Sequence, residues 1–142
     1  MSTRIRPETS RKKEHWISKH RYYELKHFVM QYDDWKEALR EMESSLVSTT
    51  PMYNDKVQIG SVSDPTGEKA TQAIIFQKNM NIVMAAARDT GKLGYQVFRN
   101  VVEDKSWNEL KSGTLSSRDE YYKAYRKFFW LLDNYKNLSE VQ

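Results

Sequence analysis

Basic and aromatic side chains recur at helical spacing just after residue 117 and suggest one particular chemistry. The residues are Arg118, Tyr122, Lys123, Arg126 and Lys127. A guanidinium can read guanine through two parallel donors, whereas an ammonium holds a phosphate as a point charge. We therefore predict that Arg118, Tyr122, Lys123 and Arg126 enter or flank the major groove of DNA, and that Lys123 and Lys127 hold phosphates.

These side chains lie in the stretch 106–132, which has the pattern of a helix, a turn and a capped helix. Ser117 precedes Glu120 by three residues, as in a capping box. From that cap an apolar stripe follows at spacings of four, three and four: Tyr121, Tyr125, Phe128 and Leu132. Trp107 and Leu110 form a shorter apolar pair before Gly113, and with Leu115 they are expected to hold the two helices together. The pattern predicts a helix-turn-helix over about residues 95–137.

A second interpretation of this stretch stays open. Amphipathic helices joined by a Gly-containing turn are common in α-bundles, where lysine and arginine simply face solvent. Phe128, Phe129 and Trp130 are consecutive, so the helix is apolar nearly all round at that point. This run predicts burial or an oligomer contact rather than contact with DNA.

The remaining sequence predicts an all-α protein. Residues 1–11 are expected to form a flexible basic arm, 12–47 one long helix or a helix pair kinked near Tyr32, and 48–64 a loop. Residues 65–142 are expected to form a helical core that contains the helix-turn-helix. Asp64 and Pro65 suit the cap and first position of its opening helix, which packs on the N-terminal helix or helix pair.

Charge is unevenly distributed along the 142 residues. Residues 1–27 hold eight basic and three acidic groups, residues 28–87 five and eight, and residues 88–142 ten and eight. The two ends are thus basic and could both touch a polyanion. The chain has no cysteine and no apolar run of membrane-spanning length, so we expect a cytoplasmic protein without a membrane partner.

Signatures of catalysis are missing from the sequence. The three histidines, His15, His20 and His27, do not have the spacing of a metal site and are expected to be solvated. No phosphate-binding glycine loop, HExxH motif or nucleophile signature occurs. We expect neither enzyme activity nor a cofactor or metal.

Three segments together resemble the ArpU/RinA family of small phage and prophage transcriptional regulators. They are YYELKHFVMQYDDWKEALREM, SVSDPTGEKA and SWNELKSGTLSSRDEYYKAYRKFFWLL, and the resemblance covers most of residues 20–135. It implies a C-terminal helix-turn-helix akin to region four of σ factors, with a supporting helix at Ser106–Lys111 and a recognition helix at Ser117–Tyr135. The turn at residues 112–116 is slightly longer than usual, which leaves the register of the recognition helix open.

The resemblance also implies a role and partners. The role would be control of late phage genes in a bacterial host cell. The partner would be double-stranded DNA, with host RNA polymerase and a homo-oligomer as further candidates. Two other functions stay open: a DNA packaging protein similar to a small terminase subunit, and a protein-only adaptor or inhibitor that binds through exposed aromatic residues.

Overall fold

The computed structural model describes residues 15–49, 65–105 and 117–141. Those residues form five α-helices: α1 (Lys19–Met30), α2 (Tyr32–Thr49), α3 (Pro65–Thr90), α4 (Gly94–Val102) and α5 (Arg118–Val141). The described residues contain no strand, and the predicted all-α class is confirmed. No helix in the described part of the chain is both long and apolar enough to cross a membrane.

The N-terminal region forms a helix pair rather than one continuous helix. Residues 15–18 are not helical, and α1 begins at Lys19 because the Ser18 side chain accepts a hydrogen bond of 3.4 Å from the Arg21 amide. At the other end the Gln31 amide bonds back to the Phe28 carbonyl over 3.2 Å, which tightens the last turn before α2 starts. The break therefore falls one residue before Tyr32, where the kink was predicted.

A tight connection joins α3 to α4. Helix α3 starts at Pro65 and ends at Thr90, followed by Gly91 with a φ of 116°. A Cβ atom on Gly94 would lie 1.8 Å from the carbonyl oxygen of Ala87, so only glycine allows α4 to begin this close to α3.

Helices α3, α4 and α5 pack against one another. Helix α5 also contacts α1, and α2 packs on α3. The predicted stripe of Tyr121, Tyr125, Phe128 and Leu132 is buried, as is the adjacent Phe129. The other core residues come from all remaining elements: Ile17, Tyr22, Leu25, Val29, Trp35, Val83, Ala86, Ala87, Val97, Phe98 and Val101.

The first half of α3 is largely exposed, although it carries apolar residues. Ala70, Ile74 and Gln77 are exposed, and Ile74 retains 68% of its accessible surface. Among the α3 side chains that the structure describes, every buried one lies between Val83 and Thr90. The buried part of α3 is therefore its C-terminal end, where α4 approaches closely at Ala87.

Candidate nucleic-acid interface

The start of α5 is fixed by the predicted serine cap. The Glu120 amide donates to the Ser117 hydroxyl over 3.1 Å, and the Tyr121 amide donates to the Ser117 carbonyl over 3.0 Å. Asp119 and Glu120 lie in the first turn, where carboxylates stabilise the positive end of the helix dipole. The cap formed by Ser117 and Glu120 thus fixes the position of Arg118 in the first turn of α5.

Two buried hydrogen bonds attach the N-terminal half of α5 to the rest of the core. The Asn100 amide donates to the Tyr121 hydroxyl over 2.8 Å, and the hydroxyls of Tyr22 and Tyr125 lie 2.8 Å apart. Burial raises the pKa of Tyr121 to about 12, although the Asn100 hydrogen bond opposes that rise. The pKa of Tyr125 is also well above its usual value because the phenol is buried and lies beside Tyr22. Both phenols therefore stay neutral and hydrogen-bonded at physiological pH.

The five predicted site residues all lie on the first half of α5, but they differ in exposure. Arg118 and Lys123 are exposed, whereas Tyr122, Arg126 and Lys127 are half-buried. The Arg118 guanidinium carbon lies 5.0 Å from the centre of the Tyr122 ring, in cation–π geometry. Because Arg118, Tyr122 and Arg126 are four residues apart, they follow one another along neighbouring turns of the helix surface.

Arginine pairing distinguishes this surface from the rest of the described chain. Of the six arginines in the described ranges, four bind a carboxylate: Arg21, Arg40, Arg88 and Arg99. The other two are Arg118 and Arg126, for which no described carboxylate lies within ion-pair distance. Both guanidinium groups are therefore available for an anionic partner.

Nearby acidic groups limit the positive charge of the surface. Residues 117–127 hold four basic and two acidic side chains, which leaves a net charge of +2. Lys127 faces Asp89, a carboxylate that accepts a hydrogen bond from Tyr135 and another from Arg88. Those hydrogen bonds lower the pKa of Asp89, and the charge of Lys127 adds to the effect. Asp89 thus offsets part of the positive charge around Lys127.

Residues 106–116 lie outside the described residues. They include the predicted supporting helix Ser106–Lys111, with Trp107 and Leu110, and the turn with Gly113 and Leu115. The helix-turn-helix therefore stays a prediction, and of its two helices only the second is described. That helix begins at Arg118 and extends past the predicted end at Tyr135.

The N-terminal segment provides contacts that the sequence patterns did not indicate. The His15 ring lies 4.9 Å from the Trp130 ring, and Ile17 is buried with 4% of its surface accessible. His15 is therefore partly covered, contrary to the expectation that all three histidines are solvated, while His20 and His27 are exposed. No sequence pattern singles out Ile17, and only its apolar character next to Trp16 could have indicated burial. No cluster of metal-ligating side chains occurs among the described residues.

Comparison with known proteins provides no relative from which a function could be transferred. No family model, no curated protein and no solved structure matches the chain.

Proposed function

We propose that this protein is a DNA-binding transcriptional regulator whose α5 contacts duplex DNA through its first turns. The observation that carries the proposal is the pair Arg118 and Arg126, the two described arginines that bind no described carboxylate. Eight residues separate them, which corresponds to about 12 Å along a helix axis. Both can reach a phosphate or a guanine edge without first breaking an ion pair.

The environment of the two arginines supports the same proposal. The Tyr122 ring holds the Arg118 guanidinium in place, and the Ser117 cap and the Asn100–Tyr121 hydrogen bond hold the helix. A group held in place before binding loses less conformational freedom when it binds. The resemblance to ArpU/RinA regulators extends the proposal to control of late phage genes, with Lys123 and Lys127 as phosphate ligands.

A gel shift with duplexes selected from a random pool tests the proposal. Replacement of both Arg118 and Arg126 by alanine should weaken specific binding about thirtyfold or more, because each bidentate contact contributes about 1–3 kcal/mol of discrimination. The matched control replaces Arg40 and Arg88, whose side chains are both 75% exposed and already paired. It removes the same charge and should have a much smaller effect. Equal affinity of the two double variants would refute this location of the DNA-binding surface.

A protein-binding adaptor is the second candidate, favoured by apolar side chains that remain exposed. Ile74, Ile75 and Leu138 keep 68%, 49% and 62% of their accessible surface. An exposed apolar surface of this kind is typical of protein interfaces. If the wild-type protein binds no duplex even at low salt, where phosphate contacts are strongest, the adaptor replaces the regulator as the conclusion.

A further inference from the structure

Helix α3 presents an open groove on the side that faces away from the core. The groove has a volume of about 510 Å³ and is bounded by Tyr135 of α5. Ile74, which lines it, keeps 68% of its accessible surface, and Leu138, one turn beyond Tyr135, keeps 62%. The core residue Val83 follows Ile74 by nine positions, which is about 180° of helix rotation. The groove therefore lies on a face of α3 that the core does not use.

The composition of this face differs from that of the rest of the protein. Charged residues make up 30% of the whole chain, whereas Lys78 is the only one between Ala70 and Ala87. Side-chain amides take the place of charges, and Gln77 donates a 3.0 Å hydrogen bond to Asn81. An exposed surface that is apolar and poor in charge is typical of a protein interface rather than of a surface that binds a polyanion.

The polar groups of this face are compatible with a second copy of the same face. Lys78 lies near Glu140, whose pKa is lowered by a hydrogen bond from Lys136 and also by the charge of Lys78. The single charge in the groove is therefore partly offset within each copy. An amide both donates and accepts, so Gln77 and Asn81 can pair with the amides of an identical surface, whereas a charged group needs an opposite charge. A second copy of the chain is thus the occupant that this chemistry fits.

The α3 residues that line the groove have a spacing that reads the same in both directions. The steps between them are 3, 1, 3, 1 and 3 residues: Ile74, Gln77, Lys78, Asn81, Ile82 and Ala85. Two α3 helices packed antiparallel about a two-fold axis near residues 79 and 80 therefore match every member of the set. Ile74 then lies opposite Ala85, Gln77 opposite Ile82, and Lys78 opposite Asn81. A large side chain meets a small one, and an ammonium meets an amide carbonyl.

The size of the face is sufficient for a reversible contact. Residues 70–85 span about 24 Å of helix, and two neighbouring helices are about 20 Å wide, so roughly 500 Å² of each copy would be covered. The total of about 1,000 Å² is the lower limit for a specific interface, so the contact should depend on protein concentration.

We infer that two copies of the protein form a two-fold symmetric dimer through this face, with antiparallel α3 helices at its centre and Tyr135 and Leu138 of α5 at its edge. The inference does not rest on the proposed DNA binding. Arg118 lies about 26 Å from Tyr135 along α5, so the proposed DNA-binding surface stays uncovered and is present twice in the dimer.

Sedimentation equilibrium of the full-length protein between about 1 and 200 µM tests the dimer. The mass of wild type should rise from 16.9 kDa toward twice that value with concentration. Ile74→Glu should raise the dissociation constant about tenfold or more, because the carboxylate would lose water against Ala85. The matched control is Tyr95→Glu, which adds the same charge at an apolar residue of α4 that is 60% exposed and should dimerise like wild type. A wild type that stays monomeric over this range, or equal constants for the two variants, would overturn the inference.

Disulfide cross-linking tests the antiparallel register. Because the chain has no cysteine, Ile74→Cys and Ala85→Cys each provide one thiol. Mixed and oxidised, the two variants should form a covalent dimer, since the two positions lie opposite each other. Either variant alone should form little, because identical positions lie about 16 Å apart across the axis and a disulfide needs Cα atoms within about 7 Å. Equal cross-linking by one variant alone would contradict the register.

Opposite charges at one position provide a second test of the register. Asn81→Glu and Asn81→Lys both lose the hydrogen bond with Gln77, so they differ only in the charge placed opposite Lys78 of the other copy. Asn81→Glu should therefore dimerise about tenfold more tightly than Asn81→Lys, and equal dissociation constants would count against the inferred pairing.

Duplex binding is a separate readout. A wild type that dimerises without binding any duplex would overturn the proposed function and leave this inference standing. A wild type that binds duplex but stays monomeric would overturn this inference alone, and the α3 face would then be left to a different protein.

Discussion

The side-chain amide of Asn100 on α4 donates a 2.8 Å hydrogen bond to the hydroxyl of Tyr121 in the first turn of α5. Both residues are buried, with 6% and 1% of their surface accessible. A buried polar pair of this kind stabilises the fold because losing a hydrogen bond inside the core is costly. It also fixes the rotation of α5 at the turn that presents Arg118 and Tyr122.

We predict that Asn100→Ala lowers the free energy of unfolding by about 1–3 kcal/mol, since the buried hydrogen bond from the Asn100 amide to the Tyr121 hydroxyl would be lost. Tyr121→Phe should also lower the free energy of unfolding, because the buried Asn100 amide would then lose its hydrogen bond to the Tyr121 hydroxyl. Urea unfolding of both single variants and the double variant forms a thermodynamic cycle. The double variant should lose less free energy of unfolding than the two single variants lose when added together. Strict additivity would show that the hydrogen bond contributes nothing to stability.

The approach of α4 to α3 leads to a second prediction. Gly94→Ala should cost about 3 kcal/mol of stability, because the new Cβ atom would lie 1.8 Å from the Ala87 carbonyl oxygen and the helices must separate. Gly91→Ala is the comparison. No atom lies within 4 Å of its added Cβ, and only its φ of 116° opposes the change, so about 1 kcal/mol is expected. Thermal unfolding should therefore rank Gly94→Ala as the more damaging; the reverse order would contradict the close approach.

Alkaline pH should destabilise the protein through its buried phenols. Burial raises the pKa of Tyr121 to about 12, whereas the same phenol in the unfolded chain ionises near pH 10. Between those values the unfolded state binds fewer protons, so stability falls as pH rises, by up to about 1.4 kcal/mol per pH unit for this group. Below pH 10 its contribution is fully present.

Urea midpoints at pH 9, 10 and 11 measure this fall. Tyr121→Phe should be less stable at pH 9 but should lose less stability than wild type between pH 10 and 11. Val83→Ala is the control, because it loosens the core without removing a phenol, so its urea midpoint should fall with pH in parallel with that of wild type. If the urea midpoints of wild type and Tyr121→Phe fall in parallel as pH rises, Tyr121 does not contribute to the pH dependence of stability.

Local patterns in the sequence predicted much of α5. The Ser117 cap and the stripe from Tyr121 to Leu132 depend on residues three or four apart, and such spacing appears directly in the sequence. The helix break at Gln31 was harder to predict, because neither glycine nor proline marks it in the sequence. Only the hydrogen bond from the Gln31 amide to the Phe28 carbonyl reveals it. The sequence consequently leaves open whether this region holds one helix or two.

Contacts between distant residues could not be predicted. Asn100 and Tyr121 are 21 positions apart, and Tyr22 and Tyr125 are 103 apart, so their pairing depends on how the helices pack. The same holds for the contact of His15 with Trp130. It also holds for Arg118 and Arg126, which bind no described carboxylate, whereas the other described arginines do. The sequence predicted the basic residues of α5 as DNA contacts, and the structure shows which of their side chains are exposed to solvent.

The contact between Arg118 and Tyr122 gives a prediction that depends on the proposed DNA binding. The guanidinium carbon lies 5.0 Å from the ring centre, and such contacts at exposed sites contribute about 0.5–1 kcal/mol. Tyr122→Ala should therefore weaken duplex binding about two- to fivefold, because Arg118 would have to be ordered during binding. Tyr122→Phe keeps the ring and should bind almost as tightly as wild type. Fluorescence anisotropy with a labelled duplex measures both affinities. If Tyr122→Phe is as weak as Tyr122→Ala, the Tyr122 hydroxyl rather than the stacked ring is what DNA binding requires.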